Sequence, residues 1–282
     1  MPIDRDPRLA LMLDAALAGA RAAMAVYGGD FAVEKKADDS PVSIADRNAE
    51  RAITERLAAT MPEFPIVAEE AIGDGRVPAL GRAFLLVDPL DGTKEFIRRN
   101  GEFTVNIALI EDGLPILGVV LAPALGLAFA GGDGTAWKGH SDPDFKSAEN
   151  WRRIRVRQSG PAPVALASRS HASPETREAL TLANAGECRS IGSALKLCLL
   201  AEGEADFYPR LGPTMEWDIA AGDALLRAAG GEVVTLDRRP LRYGKVGIAG
   251  MRDFENPNFL AAGDPALLKR FPFERLTAIR AA

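Results

Sequence analysis

The chain has 282 residues, of which 47% are hydrophobic and 26% are charged. This composition is typical of a soluble globular protein and excludes a collagen-like, coiled-coil or largely disordered chain. The net charge of −5, with only two cysteines and two histidines, argues against general nucleic-acid binding, a disulfide scaffold and chemistry built on several histidines. A reducing cytoplasm fits this cysteine usage.

The first predicted element is an amphipathic helix near the N-terminus. Leu9, Leu13, Leu17 and Ala20 recur at helical spacing. Asp14 interrupts the apolar run, and the chain opens with acidic as well as basic residues, which disfavours a signal peptide. We therefore expect a helix that packs in the core.

A second helix is predicted from Ser43 to about Ala59, with Asp46 at the third position of a capping-box pattern. Helix capping by itself would explain an acid at this position. A short apolar strand is predicted at 64–68, and it ends in the pair Glu69-Glu70. Such a pair is often only a solvated acidic turn, so its position at the end of a strand is the reason to consider it further.

The most informative segment follows the predicted strand 83–87. The strand runs directly into Asp88, and Asp91 follows three residues later. A turn of this length can direct both carboxylates and the Leu90 carbonyl towards one point. Hard divalent cations prefer oxygen ligands of this kind. The segment therefore predicts a cation site, although an Asp-Pro/Asp-Gly pair is also a common surface turn.

Gly92 and Thr93 continue the same segment. Glycine permits close approach of the backbone, and two successive amides at the start of a helical turn can hold an anion. Cation ligands beside a phosphate-binding turn predict metal-assisted phosphoryl chemistry.

Three more strands are predicted at 103–110, 116–121 and 125–130. The uncharged stretch 114–132 is formally long enough to span a membrane, but its prolines and glycines interrupt it. We interpret it as a core hairpin and predict no transmembrane segment.

The polar segment 139–152 is predicted to separate an N-terminal part, 1–150, from a C-terminal part, 151–282. The second half alternates strands and helices, which predicts stacked layers of sheets and helices. The strands are predicted at 164–168, 188–191, 205–208 and 231–234, and the helices at 174–183, 193–201 and 216–229.

Three motifs resemble the signature of the inositol monophosphatase superfamily in order and spacing. They are Glu69-Glu70, the segment from Asp88 to Thr93, and Trp217-Asp218 followed by Ala220-Ala221-Gly222. Within the superfamily, residues 88–123, 168–180 and 190–218 are most similar to the 3'(2'),5'-bisphosphate nucleotidase branch. The resemblance extends over nearly the whole chain.

The resemblance implies a five-layer α-β-α-β-α sandwich and a magnesium-dependent, lithium-sensitive phosphatase. Its substrate would be 3'-phosphoadenosine 5'-phosphate, cleaved to AMP and phosphate, with the 5'-phosphosulfate analogue as a further substrate. The alternatives are an inositol monophosphatase or sugar bisphosphatase with the same chemistry, and a non-catalytic module that kept the fold. Such modules usually lose a metal ligand, whereas the five matching acids and Thr93 are present here.

The resemblance also assigns roles to residues. One magnesium ion would be held by Glu69, Asp88 and the Leu90 carbonyl, and a second by Asp88, Asp91 and Asp218. A third, weaker ion near Glu69 is also implied. Asp46 and Thr93 would orient and deprotonate the attacking water. The substrate would contact Glu69, Leu90, Asp91, Gly92, Thr93, His171, Ser193, Lys196, Arg210 and Asp218.

Lys196 and Arg210 lie in otherwise apolar segments, where a second phosphate of the substrate would require cations. A snorkelling lysine and a surface arginine would look the same in sequence. His171 is a weaker candidate, because a single loop histidine is often merely solvated. The sequence leaves the oligomeric state open, and attachment at the inner face of the cell membrane is the alternative to a purely cytoplasmic location.

Overall fold

A computed structural model of the chain describes residues 6–29, 33–35, 41–168 and 173–276. The described strands are β1 (Val33–Lys35), β2 (Pro41–Ser43), β3 (Ile66–Ala68), β4 (Ala83–Asp91), β5 (Thr104–Glu111), β6 (Leu114–Ala122), β7 (Leu127–Gly132), β8 (Thr135–Ser141), β9 (Ala148–Ile154), β10 (Val164–Ser168), β11 (Glu187–Ile191), β12 (Phe207–Arg210), β13 (Glu232–Thr235) and β14 (Phe259–Ala262). The described helices are α1 (Pro7–Tyr27), α2 (Ile44–Thr60), α3 (Glu69–Gly73), α4 (Thr93–Ile97), α5 (Pro174–Leu182), α6 (Leu195–Ala201), α7 (Glu216–Ala229) and α8 (Pro265–Arg270).

The described strands form two large sheets and one short ribbon. The seven-stranded sheet has the order β3-β4-β5-β6-β7-β8-β9, in which β3 and β4 are parallel and the other neighbours are antiparallel. The five-stranded sheet has the order β11-β10-β12-β14-β13, with β10 parallel to both of its neighbours. Strands β1 and β2 pair with each other.

Helices cover the sheets in three layers. Helices α1 and α2 pack against each other and on one face of the seven-stranded sheet, and α6 and α7 lie between the two sheets. Helices α5 and α8 pack on the far face of the five-stranded sheet. Each interface between layers buries its own apolar cluster, which supplies the hydrophobic contribution to stability. The expected α-β-α-β-α sandwich is confirmed.

Helix α7 approaches the seven-stranded sheet closely because small residues lie at the contact. A Cβ atom at Gly118 of β6 would lie 2.3 Å from the carbonyl oxygen of Ala221. At Gly131 of β7 it would lie 2.9 Å from the Cα of Leu225. These two positions therefore require glycine for a packing reason, although their φ angles are ordinary.

Helix α1 is the described helix that is long and apolar enough to cross a membrane by length and composition. In this fold it buries nine residues, among them Met12, Ala16 and Ala20, against α2 and the sheet. Pro7 occupies its first turn, and the side chain of Asp6 accepts a hydrogen bond from the Arg8 amide as an N-cap. The expectation of a core helix is confirmed.

Most predicted elements are present, and tight Asp-Gly turns close two hairpins of the seven-stranded sheet. Asp112-Gly113 and Asp133-Gly134 adopt positive φ angles at the tips of β5–β6 and β7–β8, as two-residue hairpins require. The segment 139–152, expected to separate two parts, instead contributes to the β8–β9 hairpin. Strand pairing in the first sheet therefore continues to Ile154.

Candidate active site

The end of β4 positions the first two acids through a bulge. Asp88 lies opposite Asn106 of β5, and Asp91 lies opposite Thr104, so three steps on β4 face two steps on β5. Pro89 has no N–H to contribute to the ladder at this point. The amide of Leu90 turns inward and donates to Asp88 Oδ1 at 3.0 Å. The bulge thus brings both carboxylates and the Leu90 carbonyl into one turn.

Gly92 reverses the chain immediately after this bulge. Its φ of 96° is left-handed, and a Cβ atom here would lie 3.2 Å from the carbonyl oxygen of Glu102. Only glycine satisfies both constraints without strain. Helix α4 begins at Thr93, whose hydroxyl donates to the Leu90 carbonyl at 3.5 Å. The predicted turn into a helix is confirmed.

Glu69 reaches the same place from the neighbouring strand. Strand β3 runs parallel to β4 with Ala68 beside Val87, so Glu69 and Asp88 follow at the same edge of the sheet. The carboxylate of Glu50, on α2, accepts hydrogen bonds from the Glu70 amide at 2.7 Å and the Ala71 amide at 2.9 Å. Glu50 therefore fixes the start of α3, where Glu69 lies.

Asp218 comes from the other end of the sequence, in the first turn of α7. Its Oδ2 accepts a hydrogen bond from the Met215 amide at 2.9 Å, which completes the cap of the helix. Glu216 of the same turn is fully buried and accepts from the Gly244 and Lys245 amides. The Lys245 ammonium also lies 2.6 Å from Glu216. These contacts hold the turn that carries Asp218.

The four acids Glu69, Asp88, Asp91 and Asp218 influence one another electrostatically. Burial, followed by the charges of Glu69, Asp91 and Asp218, raises the pKa of Asp88 well above its ordinary value. Burial and the charges of Asp91 and Glu69 raise the pKa of Asp218 to about 8. Burial raises the pKa of Asp91 to about 6, although Lys196 opposes this increase. Buried like charges of this kind favour protonation or a compensating cation.

The donor set fits a hard divalent cation. It consists of carboxylates and a backbone carbonyl, which Mg²⁺ prefers. The Thr104 hydroxyl and the Asn106 amide, which lie opposite Asp91 and Asp88 in the sheet, are also buried without hydrogen-bond partners among the described residues. Among the described residues, no three Asp, Glu, His or Cys side chains lie in an arrangement that could hold a metal ion by themselves. Electrostatic coupling is therefore what identifies this cluster.

A cavity of about 220 Å³ opens at this cluster. It brings together most of the residues predicted from the sequence, which are Glu69, Asp91, Gly92, Thr93, Ser193, Lys196, Arg210 and Asp218. Asp88 and Leu90 are buried at its edge and do not line it. Asp46, only 3% exposed in the first turn of α2, does not line it either. His171 lies outside the described residues.

Two buried cations lie on the side of the cavity formed by the second half of the chain. Burial lowers the pKa of Lys196 to about 8, although the charge of Asp91 acts in the opposite direction. Its ammonium donates to the carbonyls of Ile191 and Ser193 and lies 5.4 Å from the centre of the Tyr208 ring. Arg210 donates to the Pro213 carbonyl, while its Nε has no partner in the described part of the chain. Both cations are thus inside the site and not on the surface.

The loop before α6 joins the two halves of the cavity. Ser193 has a left-handed φ of 49°, so α6 begins at Leu195 and not at the predicted Ser193. The Ser193 hydroxyl is buried, and no described residue forms a hydrogen bond with it. The Gly192 amide donates to Glu102 Oε2 at 2.8 Å. Backbone strain beside an unpartnered hydroxyl is typical of a ligand-binding loop.

Sequence reasoning missed several residues of the site. Glu95, Ser168, Tyr208 and Thr214 line the cavity, and Glu50 supports it from behind. Glu95 had a usable signal, because it lies three residues after Gly92 in a short turn. The others had none, since their proximity depends on how distant segments pack.

Comparison with known proteins gives one consistent result. Residues 4–270 match the model of the inositol monophosphatase family. The chain is 45% identical over 240 residues to the 3'(2'),5'-bisphosphate nucleotidase CysQ of Escherichia coli K12, covering 84% of this chain and 92% of the relative. It is 35% identical over 262 residues to the protein of the same name from Aggregatibacter actinomycetemcomitans, covering 89% of each.

Solved structures agree with this result. CysQ from Bacteroides thetaiotaomicron aligns with a TM-score of 0.74 and 36% identity, covering 92% of this chain and 98% of that one. An inositol monophosphatase from Thermotoga maritima also gives 0.74, at 24% identity, covering 96% of this chain and 98% of that one. The latter supports the fold alone.

Proposed function

The chain belongs to the inositol monophosphatase family, and we propose that it is a magnesium-dependent 3'(2'),5'-bisphosphate nucleotidase. Its substrate would be 3'-phosphoadenosine 5'-phosphate, cleaved to AMP and phosphate. The observation that carries this proposal is the division of one cavity into an acidic side, with Asp91 and Asp218, and a cationic side, with Lys196 and Arg210. A substrate with two phosphates matches such a division.

The acidic side would hold the metal. We assign Glu69, Asp88 and the Leu90 carbonyl to one magnesium ion, and Asp88, Asp91 and Asp218 to a second, with a third, weaker ion near Glu69. When bound, magnesium supplies Lewis-acid activation of water and neutralisation of the phosphate oxygens. The raised pKa values of the acids support this assignment, because cations would offset their mutual repulsion.

Residues of this chain would then prepare the attacking water and hold the phosphate. Thr93, at the start of α4, and Asp46, in the first turn of α2, would together orient and deprotonate the attacking water. The amides of Gly92 and Thr93 would hold the phosphate that leaves. The left-handed Gly92 supports this role, since it turns both amides out of the β4 ladder.

The cationic side would bind the phosphate that is kept. Lys196 and Arg210 are buried and charged, and the Nε of Arg210 provides a donor that the described part of the protein does not use. Ser193 would add its unpartnered hydroxyl, and His171 is assigned to the nucleoside side. Charge-assisted hydrogen bonds of this kind favour a second phosphate over a neutral sugar.

Two finer points belong to the same proposal. The 5'-phosphosulfate analogue would bind in the same way, because its charged group occupies the same side of the cavity. The N-terminal part, 1–150, would contribute all metal ligands except Asp218, which comes from the part 151–282. We place the enzyme in the cytoplasm, with attachment at the inner face of the cell membrane as the alternative.

A substrate panel tests the function directly. Phosphate release from 3'-phosphoadenosine 5'-phosphate, inositol monophosphate and a sugar bisphosphate should be measured with magnesium and with a chelator. We expect the highest kcat/KM for the nucleotide and no release in chelator. Arg210→Ala should reduce activity on the nucleotide selectively. A preference for inositol monophosphate, or phosphate release that the chelator does not reduce, would refute the proposal.

A further inference from the structure

Glu95 is a buried acid that the proposed reaction does not yet use. It lies on α4, is only 6% exposed and lines the cavity. Its Oε2 is 3.4 Å from the point where a Cβ atom on Gly92 would lie. The side chain is therefore next to the turn that we assign to binding of the phosphate that is removed.

The carboxylate of Glu95 has no partner within the described residues. In the part of the chain that the structure describes, it accepts no hydrogen bond and forms no ion pair, unlike the buried Glu50 and Glu216. The Glu95 side chain lines the cavity, so a ligand that displaces water there would leave the carboxylate without hydrogen bonds unless it supplies donors. The position of Glu95 in the cavity allows a ligand to do so.

The neighbouring charges indicate which kind of ligand group can contact Glu95. Glu95 and Asp91 raise each other's electrostatic energy, while Lys196 is attracted to both. A phosphate oxygen beside Glu95 would be repelled, whereas a hydroxyl can donate to it. On a nucleoside 3'-phosphate, the group adjacent to the phosphate is the 2'-hydroxyl of the ribose.

We propose that Glu95 determines specificity by accepting a hydrogen bond from the sugar hydroxyl next to the phosphate that is removed. This inference rests on the proposed nucleotidase function. It makes the enzyme selective for ribonucleotides, because a 2'-deoxy substrate would displace water from the Glu95 carboxylate without replacing its hydrogen bond. Lys196 and Arg210 would still hold the other phosphate of either substrate.

The test compares two substrates that differ by one hydroxyl. We would measure kcat/KM for adenosine 3',5'-bisphosphate and for 2'-deoxyadenosine 3',5'-bisphosphate with the wild type, Glu95→Gln and Glu95→Ala. Glu63→Gln, an exposed site, is the matched control. We expect the wild type to favour the ribonucleotide by about 10- to 100-fold, the contribution of one hydrogen bond to a charged group. The ratio should fall in Glu95→Gln and approach 1 in Glu95→Ala.

Other outcomes overturn the inference in distinguishable ways. A wild-type ratio near 1, or variants that lose activity equally on both substrates, would show that Glu95 does not read the hydroxyl. An equal rise in the magnesium requirement on both substrates would assign Glu95 to a hydrated cation instead. If the wild type hydrolyses inositol monophosphate but neither nucleotide, the proposed function itself fails. Glu95→Gln keeps the side-chain volume, so it carries the test if Glu95→Ala does not fold.

Discussion

Replacing Asp218 by Asn should stabilise the metal-free protein while abolishing its activity. Asp218 is enclosed by α7 and by the acids at the end of β4, and no cation of the described residues pairs with it directly. The asparagine side chain would keep an oxygen to accept from the Met215 amide. The substitution therefore removes a buried charge and retains the helix cap.

The magnitude follows from the pKa of Asp218. Burial and the charges of Asp91 and Glu69 raise this pKa from 3.8 to about 8. Since the folded-state pKa is the higher one, the protonated form favours folding, and this contribution is lost as the pH rises from about 4 to about 8. At about 1.4 kcal/mol per pKa unit, the full difference is on the order of 5 kcal/mol. Structural relaxation reduces it, and we expect about 1–3 kcal/mol at pH 8.

Thermal unfolding at pH 8 with a chelator and with magnesium measures both parts of the prediction. In chelator, Asp218→Asn should unfold several degrees above the wild type, at about 2–4 °C per kcal/mol. Magnesium should raise the Tm of the wild type, because it binds only the folded state, and raise that of the variant much less. The kcat/KM should fall by at least about 100-fold, since even groups that only support a metal ligand contribute about 10- to 100-fold.

An exposed acid provides the control for this comparison. Asp133→Asn, at the tip of the β7–β8 hairpin, replaces a residue with positive φ by one that tolerates it, and should change neither Tm nor activity. If Asp218→Asn destabilises the protein in chelator, the acids do not repel one another as we infer. An unchanged magnesium effect on Tm would remove Asp218 from the metal ligands.

Three further predictions concern other positions. The kcat/KM for the nucleotide should fall above about pH 8, because Lys196 loses its charge there. Lys196→Met should lower kcat/KM by about 10- to 100-fold and eliminate this fall; a variant with the pH profile of the wild type would refute the role of Lys196. Burial raises the pKa of Glu50 to about 7, so the unfolding free energy of the wild type should fall by up to about 3 kcal/mol between pH 4.5 and 7. Denaturant titration should show a smaller fall for Glu50→Gln, and equal falls in the two proteins would contradict this prediction. Gly118→Ala should lower the unfolding free energy by about 1–3 kcal/mol, because the added Cβ atom would clash with Ala221. The control Gly28→Ala, at a position with open space, should change the unfolding free energy by less than about 0.5 kcal/mol; equal effects would refute the packing argument.

The parts of the site that sequence could predict are the parts made by local chain geometry. Asp88, Asp91, Gly92 and Thr93 lie within six consecutive positions, and a strand followed by a glycine turn restricts where they can point. Asp218 was predicted through its motif. Its approach to β4 depends on α7 crossing behind the sheet, which no local pattern encodes.

Glu50 illustrates what sequence alone does not reveal. On α2 it lies four residues after Asp46 and looks like any other acid of an amphipathic helix. Its role arises because its carboxylate meets two amides about twenty residues further along the chain. Single-sequence patterns report the face of a helix and not the element that this face meets.

Strand β9 was missed for a different reason. It is an edge strand that pairs with β8, so most of its side chains face solvent and the alternation of apolar residues is weak. The polar residues on both sides of it made 139–152 resemble a linker. Edge strands tolerate such composition because charged side chains discourage pairing with other molecules.

The position of α7 between the two sheets has a consequence during synthesis of the chain. When residues up to Ile154 have left the ribosome, all strands of the seven-stranded sheet are available, but the helix that covers its inner face is not. That face, which includes Val120 and Phe129, stays uncovered until residues 216–229 emerge. At about 5–20 residues per second this interval lasts several seconds. The nascent chain is therefore a candidate for chaperone capture at this stage.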